Sequence, residues 1–491
     1  MQSSELNAPE RNWYLAGTLA VLAVTVFRVG FLLIDKTDLF VDESQYWLWS
    51  RDLDFGYYSK PPLIAWVIRL TTELAHSNAI FWVRLPAPLF HFATALILGL
   101  LGRNLFGART AFWVMLSYIS MPAVTLGSAV ISTDTIMAPF FSLALLFYFR
   151  LLEEGKAVDA LLTGLMVGVA FLAKYAGIYF LICAALAAVF VPSARPSWRH
   201  ALLIGLAFLA LTTPNIIWNV LNDLSTFEHT LDNADWVRGN SDGLSLKYLK
   251  LAEFFFSQFG VFGPILFGTL LACTVRRIPT TARIIVFFSV PIIAIVCVQA
   301  LLSKAYANWA VAAYFGGTVV VVAMLMDRHM RLLKTSVWIG MVAALALPVL
   351  TSIAYDVSID GEKPALKRLL GREKMSRDIL QAADRLKADV IVARSRDILA
   401  DLFYTGRHAD VRIRSIRPDG RPRNYYQLRF PFENDGTDEK VLLVSHRNDV
   451  QCEGRAMMPE SEIATQGGAL HGSSLYVYLV RPACIDDRAD H

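Results

Sequence analysis

Charge is scarce in this sequence. Of its 491 residues 18% are Asp, Glu, Lys or Arg and 55% are hydrophobic, and the mean hydropathy is +0.45. Such a chain has too little polar side chain to cover itself as a soluble enzyme does, so its apolar excess faces something other than water. Charge of one sign is also lacking: a net +4 is too small to argue for a nucleic-acid partner. The five cysteines show no CxxC and no Cys/His ligand spacing, which excludes the common zinc modules. Met1–Arg11 is polar with acidic residues, and no small-residue cleavage site follows it, so the first apolar run is expected to be a retained span and not a removable signal. No internal repeat or low-complexity segment is evident.

What the sequence does have is long apolar runs. A membrane-spanning helix needs about 20 apolar residues, and stretches lying between charges fall at 12–27 (continuing past Arg28), 85–102, 110–133, 135–149, 160–173, 175–194, 201–222, 254–275, 284–303, 305–326 and 335–355. They predict a polytopic α-helical membrane protein of about eleven helices. Beyond them the composition changes: residues 356–491 are more than twice as densely charged as the rest, which predicts a soluble domain there. Its strands are expected at Asp389–Arg394, Lys440–Ser445 and Leu475–Val480, with a helix at Lys374–Leu386, giving a small α/β domain.

With a cytoplasmic N-terminus, every inside loop carries positive charge: Arg103 and Arg109, Lys156, Arg195 and Arg199, Arg276, Arg277 and Arg283, then Arg328, Arg331 and Lys334. That phase exports the tail and the loops 35–84, 131–135, 223–250 and 303–308 of a 1–355 membrane domain. In an exported domain Cys452 and Cys484 lie where disulfides persist, although sequence cannot give their separation. Within the first loop Leu63–Leu74 reads as an apolar helix lying in the interface plane.

The chemistry-bearing residues gather in the exported loops. Asp42 and Glu43 are adjacent acids after the first span, and Tyr57-Tyr58-Ser59-Lys60-Pro61-Pro62 follows as an aromatic turn stiffened by two prolines. An acidic pair alone is most often a solvated loop. Ser132-Thr133-Asp134 adds a third carboxylate on the same side of the membrane, at a position where Thr133 or Asp134 could equally cap a helix. Lys304, leading into Tyr306-Ala307-Asn308-Trp309, could be a snorkelling interfacial lysine. Lys174, between two apolar runs, has little interfacial freedom and needs a partner. His229 alone is an ordinary surface histidine.

In order and membrane side, these motifs resemble the lipid-linked-sugar glycosyltransferases of the GT-C fold, in particular the branch related to protein O-mannosyltransferases and to the aminoarabinose transferases that modify lipid A. The resemblance runs from about Asp38 to Ala313 and includes Asp42-Glu43, Ser59-Lys60-Pro61-Pro62, Ser132-Thr133-Asp134, Phe171-Leu172-Ala173-Lys174-Tyr175, Pro214-Asn215-Ile216-Ile217-Trp218-Asn219 and Ala307-Asn308-Trp309. It implies a polyprenyl-phosphate sugar donor and an envelope glycolipid, polysaccharide or protein acceptor, in a bacterial inner membrane. It makes Asp42 the catalytic carboxylate, Lys60 a partner of the donor phosphate and Asp134 a second acid in the cavity; on chemistry alone Glu43 and Asp134 could orient the partners of Asp42 or hold a divalent cation. Tyr57, Tyr58, Lys174, His229, Arg238, Lys304 and Asn308 are the further candidates for binding substrate. No cofactor is demanded; a divalent cation is an option, although Ser59 stands where the aminoarabinose transferases carry an acid that helps hold a metal. A transporter or flippase is the competing class, disfavoured by the absence of repeat symmetry and by polar residues in loops and not mid-span. A structural or polymer-binding membrane protein is a third.

Overall fold

A computed structural model describes residues 8–224, 226, 246–359, 363–418, 420–434, 436, 438–452, 454–464 and 468–486. By internal packing these form two compact units: residues up to Leu33 together with Leu53–Val349, and Ile34–Asp52 together with the chain from Leu350 onward.

Each of the eleven apolar stretches is mostly helical, the last, 335–355, running past the end of the first unit at Val349. Among the described residues, six helices are long and apolar enough to cross a membrane: Asn12–Leu32, Ile80–Phe106, Thr133–Glu154, Trp198–Leu221, Thr280–Leu302 and Met330–Ser352. Two further pairs bring the number to eight if each counts as one span, Ala108–Ile119 with Pro122–Ala129, bent by 57°, and Tyr248–Val261 with Pro264–Val275, bent by 116°. Hydropathy alone reads each pair as one straight span because both arms are apolar. The bends have local causes. Met121 before Pro122 is extended (ψ 136°), as the residue preceding a proline prefers, and Gly263 before Pro264 takes φ +95°, a conformation open to glycine and costly for other residues. Ala157–Ala173 and Tyr175–Phe190 fall below spanning length; seventeen residues rise only about 25 Å against a hydrocarbon core of about 30 Å.

Burial sorts these helices. Thr133–Glu154 is 72% buried over its apolar window, whereas Trp198–Leu221 and Met330–Ser352 are each 28% buried. An apolar helix left that open turns its side chains to lipid, and the buried one is the centre of the bundle. Leu63–Leu74 forms with the bounds read from the sequence. Arg28, within the first span, turns inward and is buried: it donates from Nη1 to Ser128 Oγ (2.9 Å) and from Nη2 to the Ile119 carbonyl (2.9 Å), bracing the bend at Pro122.

The second unit is built on a five-stranded sheet ordered Arg412–Ser415, Val390–Ala393, Val441–Ser445, Ser474–Val480, Ser461–Ala464. The first three strands are parallel and the last two pair antiparallel. Val390, Val392, Val441, Leu443, Tyr478 and Val480 fill a core that Cys484 closes. Cys484 is disulfide-bonded to Cys452 with Cα atoms 5.0 Å apart, a link worth about 3–4 kcal/mol for a loop of this length.

Residues 34–52, part of the 1–355 segment of the sequence reading, pack with this tail. Asp38 N donates to the Leu369 carbonyl (2.8 Å), and its carboxylate accepts from Arg372 N (2.7 Å) and Glu373 N (3.3 Å), capping the helix Arg372–Leu386 from 334 residues away. Trp47 meets Tyr404 edge-on at 4.9 Å and Trp49 meets Tyr425 at 5.7 Å. Burial pushes the Asp38 carboxyl up to about 6, against the pull of its two backbone donors. A carboxyl whose folded pKa lies above its unfolded value of about 3.9 adds stability below that value and loses it as pH rises through the folded pKa. Apparent melting of the protein should therefore carry a contribution that falls between about pH 4 and pH 6. Asp38→Asn, which keeps the acceptor oxygen and cannot ionise, should flatten that window; a slope left unchanged by this substitution would exclude Asp38 as its source.

Candidate active site

In the first unit three residues singled out in sequence come together. Asp134 lies in the first turn of Thr133–Glu154, whose positive end favours a carboxylate. Lys174 sits where Ala157–Ala173 ends and the chain is extended (φ −155°) before the short helix at Tyr175. Asn308 belongs to the turn Ala307–Ala310. Lys174 Nζ donates to Asp134 Oδ1 (2.7 Å) and Asn308 Nδ2 to Oδ2 (3.1 Å), so both carboxylate oxygens are engaged. Each member of the ion pair is 14% exposed, shielded from water yet reachable. The helix cap is neither Thr133 nor Asp134, the two residues that the sequence allows, but Ser132, whose Oγ accepts from Thr135 N (3.2 Å). Its extended backbone (φ −141°, ψ 160°) makes Ser132 the residue outside the first turn. His91 steadies this corner, its ring nitrogens 3.2 Å from Thr135 Oγ1 and 2.9 Å from Tyr118 OH.

A second cluster joins the other motifs. Asn215 and Asn219, four apart on Trp198–Leu221, share the Tyr175 hydroxyl: it donates to Asn215 Oδ1 and accepts from Asn219 Nδ2, both at 3.2 Å. Asn215 Nδ2 also donates to the Phe55 carbonyl (2.7 Å), tying the aromatic turn to this helix. There Gly56 lies flat on Trp218; a Cβ would come within 2.3 Å of its ring, so no larger residue fits. Tyr57 and Tyr58 are buried at 4% and 7% exposure, and the turn closes through Tyr57 N to the Lys60 carbonyl (3.1 Å). Lys60 and Lys304 are half-buried. His229 and Arg238 lie outside the described residues.

In the second unit Asp42 and Glu43 share the helix Val41–Trp49 but not a fate. Glu43 is fully buried and accepts from the Phe40 N–H (2.8 Å) at the start of its own helix. Asp42 keeps 46% of its side chain exposed and forms an ion pair with Arg396, whose Nη2 donates to its Oδ1. Arg396 Nε donates to Gln45 Oε1 (2.9 Å), one helical turn further on. Burial works to lower the Arg396 pKa, but the Asp42 charge and hydrogen bond outweigh it and keep the guanidinium charged. Sequence reasoning missed Arg396; its only local mark is an arginine at the first position of the helix Arg396–Thr405, the end a cation ordinarily avoids.

Chemically, the three acids differ: Asp42 is accessible and paired with arginine, Asp134 is shielded and held by lysine and amide, and Glu43 is sealed at the start of its own helix. Among the described residues no group of three or more His, Cys, Asp or Glu side chains is placed to hold a metal ion.

Residues 59–218 match the family model described as dolichyl-phosphate-mannose-protein mannosyltransferase. The chain is 38% identical over 474 residues to lipid A galacturonosyltransferase RgtD of Rhizobium johnstonii, covering 96% of this chain and 99% of that one. Over 221 residues, 44% of each chain, it is 26% identical to lipopolysaccharide core galacturonosyltransferase RgtB of the same organism. Among solved structures, ArnT from Cupriavidus metallidurans bound to undecaprenyl phosphate superposes with a TM-score of 0.63 at 14% identity, over 95% of this chain and 98% of that one. The fold is thus the GT-C fold expected from the motifs, and the transporter reading finds no support. At 38% identity over nearly its whole length, the chain belongs to the family of that galacturonosyltransferase, multi-pass bacterial membrane glycosyltransferases.

Proposed function

We propose that this enzyme transfers a galacturonosyl residue from a polyprenyl-phosphate carrier to lipid A on the exported side of the inner membrane. The full-length relative named as a lipid A galacturonosyltransferase carries this reading. A lipid-linked donor suits a bundle with lipid-facing helices, since its polyprenyl chain needs an apolar groove open to the bilayer.

In the proposed mechanism an acceptor hydroxyl attacks the anomeric carbon, and Asp42 takes its proton as the new C–O bond forms. The bond from that carbon to the phosphate oxygen breaks and the phosphate leaves with the electron pair. Attack opposite the leaving group inverts the anomeric centre, as in one-step glycosidases. A phosphate leaving group needs cationic stabilisation more than a proton, and Lys60 is assigned that role, with Lys304 and Arg238 as further cations. Asp134 is assigned to hold Lys174 and Asn308 in place. Because both oxygens of Asp134 already accept hydrogen bonds and Ser59 replaces an acid, no step is routed through a divalent cation. Purified protein given polyprenyl-phosphate galacturonate and lipid A should yield lipid A heavier by one uronosyl residue, in the presence or absence of EDTA. No product with lipid A, and product with a polysaccharide or protein acceptor, would overturn the acceptor assignment.

Eleven crossings follow if Ala157–Ala173, Tyr175–Phe190 and Ala313–Arg328 also cross, and the charge alternation then sets the N-terminus inside and the tail outside. The Cys452–Cys484 disulfide supports an oxidising compartment for the tail. A reporter fused after His491 should be active only when it is one that works in the periplasm; cytoplasmic activity would overturn the topology.

Lys60→Ala should raise the apparent KM for donor by about ten- to a hundredfold while leaving that for acceptor near its starting value, since a hydrogen bond to a charged group is worth about 1.5–3 kcal/mol and the phosphate is on the donor alone. Equal changes for the two substrates would make Lys60 an interfacial anchor.

A further inference from the structure

We propose that Arg396 reads the carboxylate of the donor's uronic acid, exchanging Asp42 for it as the donor binds. This rests on the reading of a galacturonosyl donor and of Asp42 as base. The guanidinium carries five N–H donors in a planar fork suited to carboxylates, and in the structure its Nε and Nη2 are committed to Gln45 and Asp42. An arginine at the first position of Arg396–Thr405 works against the helix dipole, so helix stability does not explain it; an anion does. Asp42 is that anion in the free protein, and with 46% of its side chain and 38% of that of Arg396 exposed, a solute carboxylate can reach the pair. Beside it Tyr426 is fully buried, is close enough to feel the charges of both Asp42 and Arg396, and has no hydrogen-bond partner for its hydroxyl among the described residues. Buried polar groups are rarely left unpaired in folded proteins.

The exchange couples selectivity to catalysis. While Arg396 Nη2 donates to Oδ1 of Asp42, that oxygen is occupied and is not presented to the acceptor hydroxyl. A uronosyl donor brings a replacement carboxylate, so Arg396 stays paired and Asp42 is released with the sugar in place. A neutral hexosyl donor offers no replacement and leaves Asp42 held. Gln45, which is neutral, keeps Arg396 aimed through the exchange.

The test compares polyprenyl-phosphate galacturonate with polyprenyl-phosphate galactose, which differ at the sugar carboxylate, using the full-length enzyme with lipid A. Arg396→Met should lose about ten- to a hundredfold in kcat/KM on the galacturonosyl donor, the range for a lost hydrogen bond to charge, while turnover of the galactosyl donor rises because Asp42 is no longer held. Arg396→Lys should recover part of the difference. A second variant avoids dependence on that one: Gln45→Glu places a competing carboxylate beside Arg396 and should raise KM for the galacturonosyl donor alone. Parallel losses on both donors would overturn the proposal by leaving Arg396 a support for Asp42 only, and so would unchanged kinetics on both. Wild-type turnover of the galacturonosyl donor tests the assigned function separately; its absence would sink that function, whereas an unmoved donor preference in the variants sinks only the role of Arg396.

Discussion

Replacing Asp42 by asparagine is expected to lower turnover by at least about 10²- to 10⁴-fold, the range attributed to a positioned general base, while the donor still binds. Asparagine keeps the shape and its carbonyl oxygen can still accept from Arg396, but at neutral pH it cannot take the acceptor's proton. The half-exposed position of Asp42 makes a large structural cost unexpected, and the melting profile of the variant checks this. Glu43→Gln should be milder in rate. Glu43 is sealed from solvent and accepts from the Phe40 N–H, so its loss should appear as stability, at least on the order of 1 kcal/mol for a weakened helix start. Comparable loss of turnover at both positions would point to a coupled pair of acids, and full activity in the asparagine variant would remove Asp42 as the base.

The contrast between Asp42 and Glu43 shows where the sequence was legible. Hydropathy gave the helices because apolar length is a local property, and Leu63–Leu74 emerged with the bounds its periodicity implied. Lys174 announced itself because a lysine between two apolar runs must find an anion, and Asp134 is that anion. What stayed hidden depends on partners distant in sequence. Arg396 lies 354 residues from Asp42, and the cap that Asp38 provides reaches 334 residues forward. No periodicity or spacing links such positions, so a loop read as one exported segment proved to have its first part, through Asp52, packed with the tail. The bends at Pro122 and Gly263 were hidden for another reason: both arms of each pair are apolar, and hydropathy averages across the break.

Breaking the Lys174–Asp134 pair should have the second large effect, and a two-step substitution separates its structural from its functional part. Lys174→Met leaves the Asp134 carboxylate shielded with only the Asn308 amide to hold it. Removing one partner of a buried pair typically costs about 3–5 kcal/mol, and at 14% exposure the lower end of that range is expected. The single variant should therefore be poorly recovered from membranes. Adding Asp134→Asn removes the stranded charge, and replacing both ions with neutral groups of similar size is often close to neutral for stability. The double variant should thus regain much of the melting temperature. If the pair served only to hold the bundle, activity would return with the fold. The assignment of Lys174 and Asn308 to the substrate side predicts otherwise: a folded double variant whose donor KM stays raised by about tenfold or more, because the cation is gone and the Asn308 amide has lost the carboxylate that fixed it. Recovery of both folding and donor affinity would reduce the pair to scaffold, and a double variant as unstable as the single one would show that the energy of this corner resides elsewhere than in the ion pair.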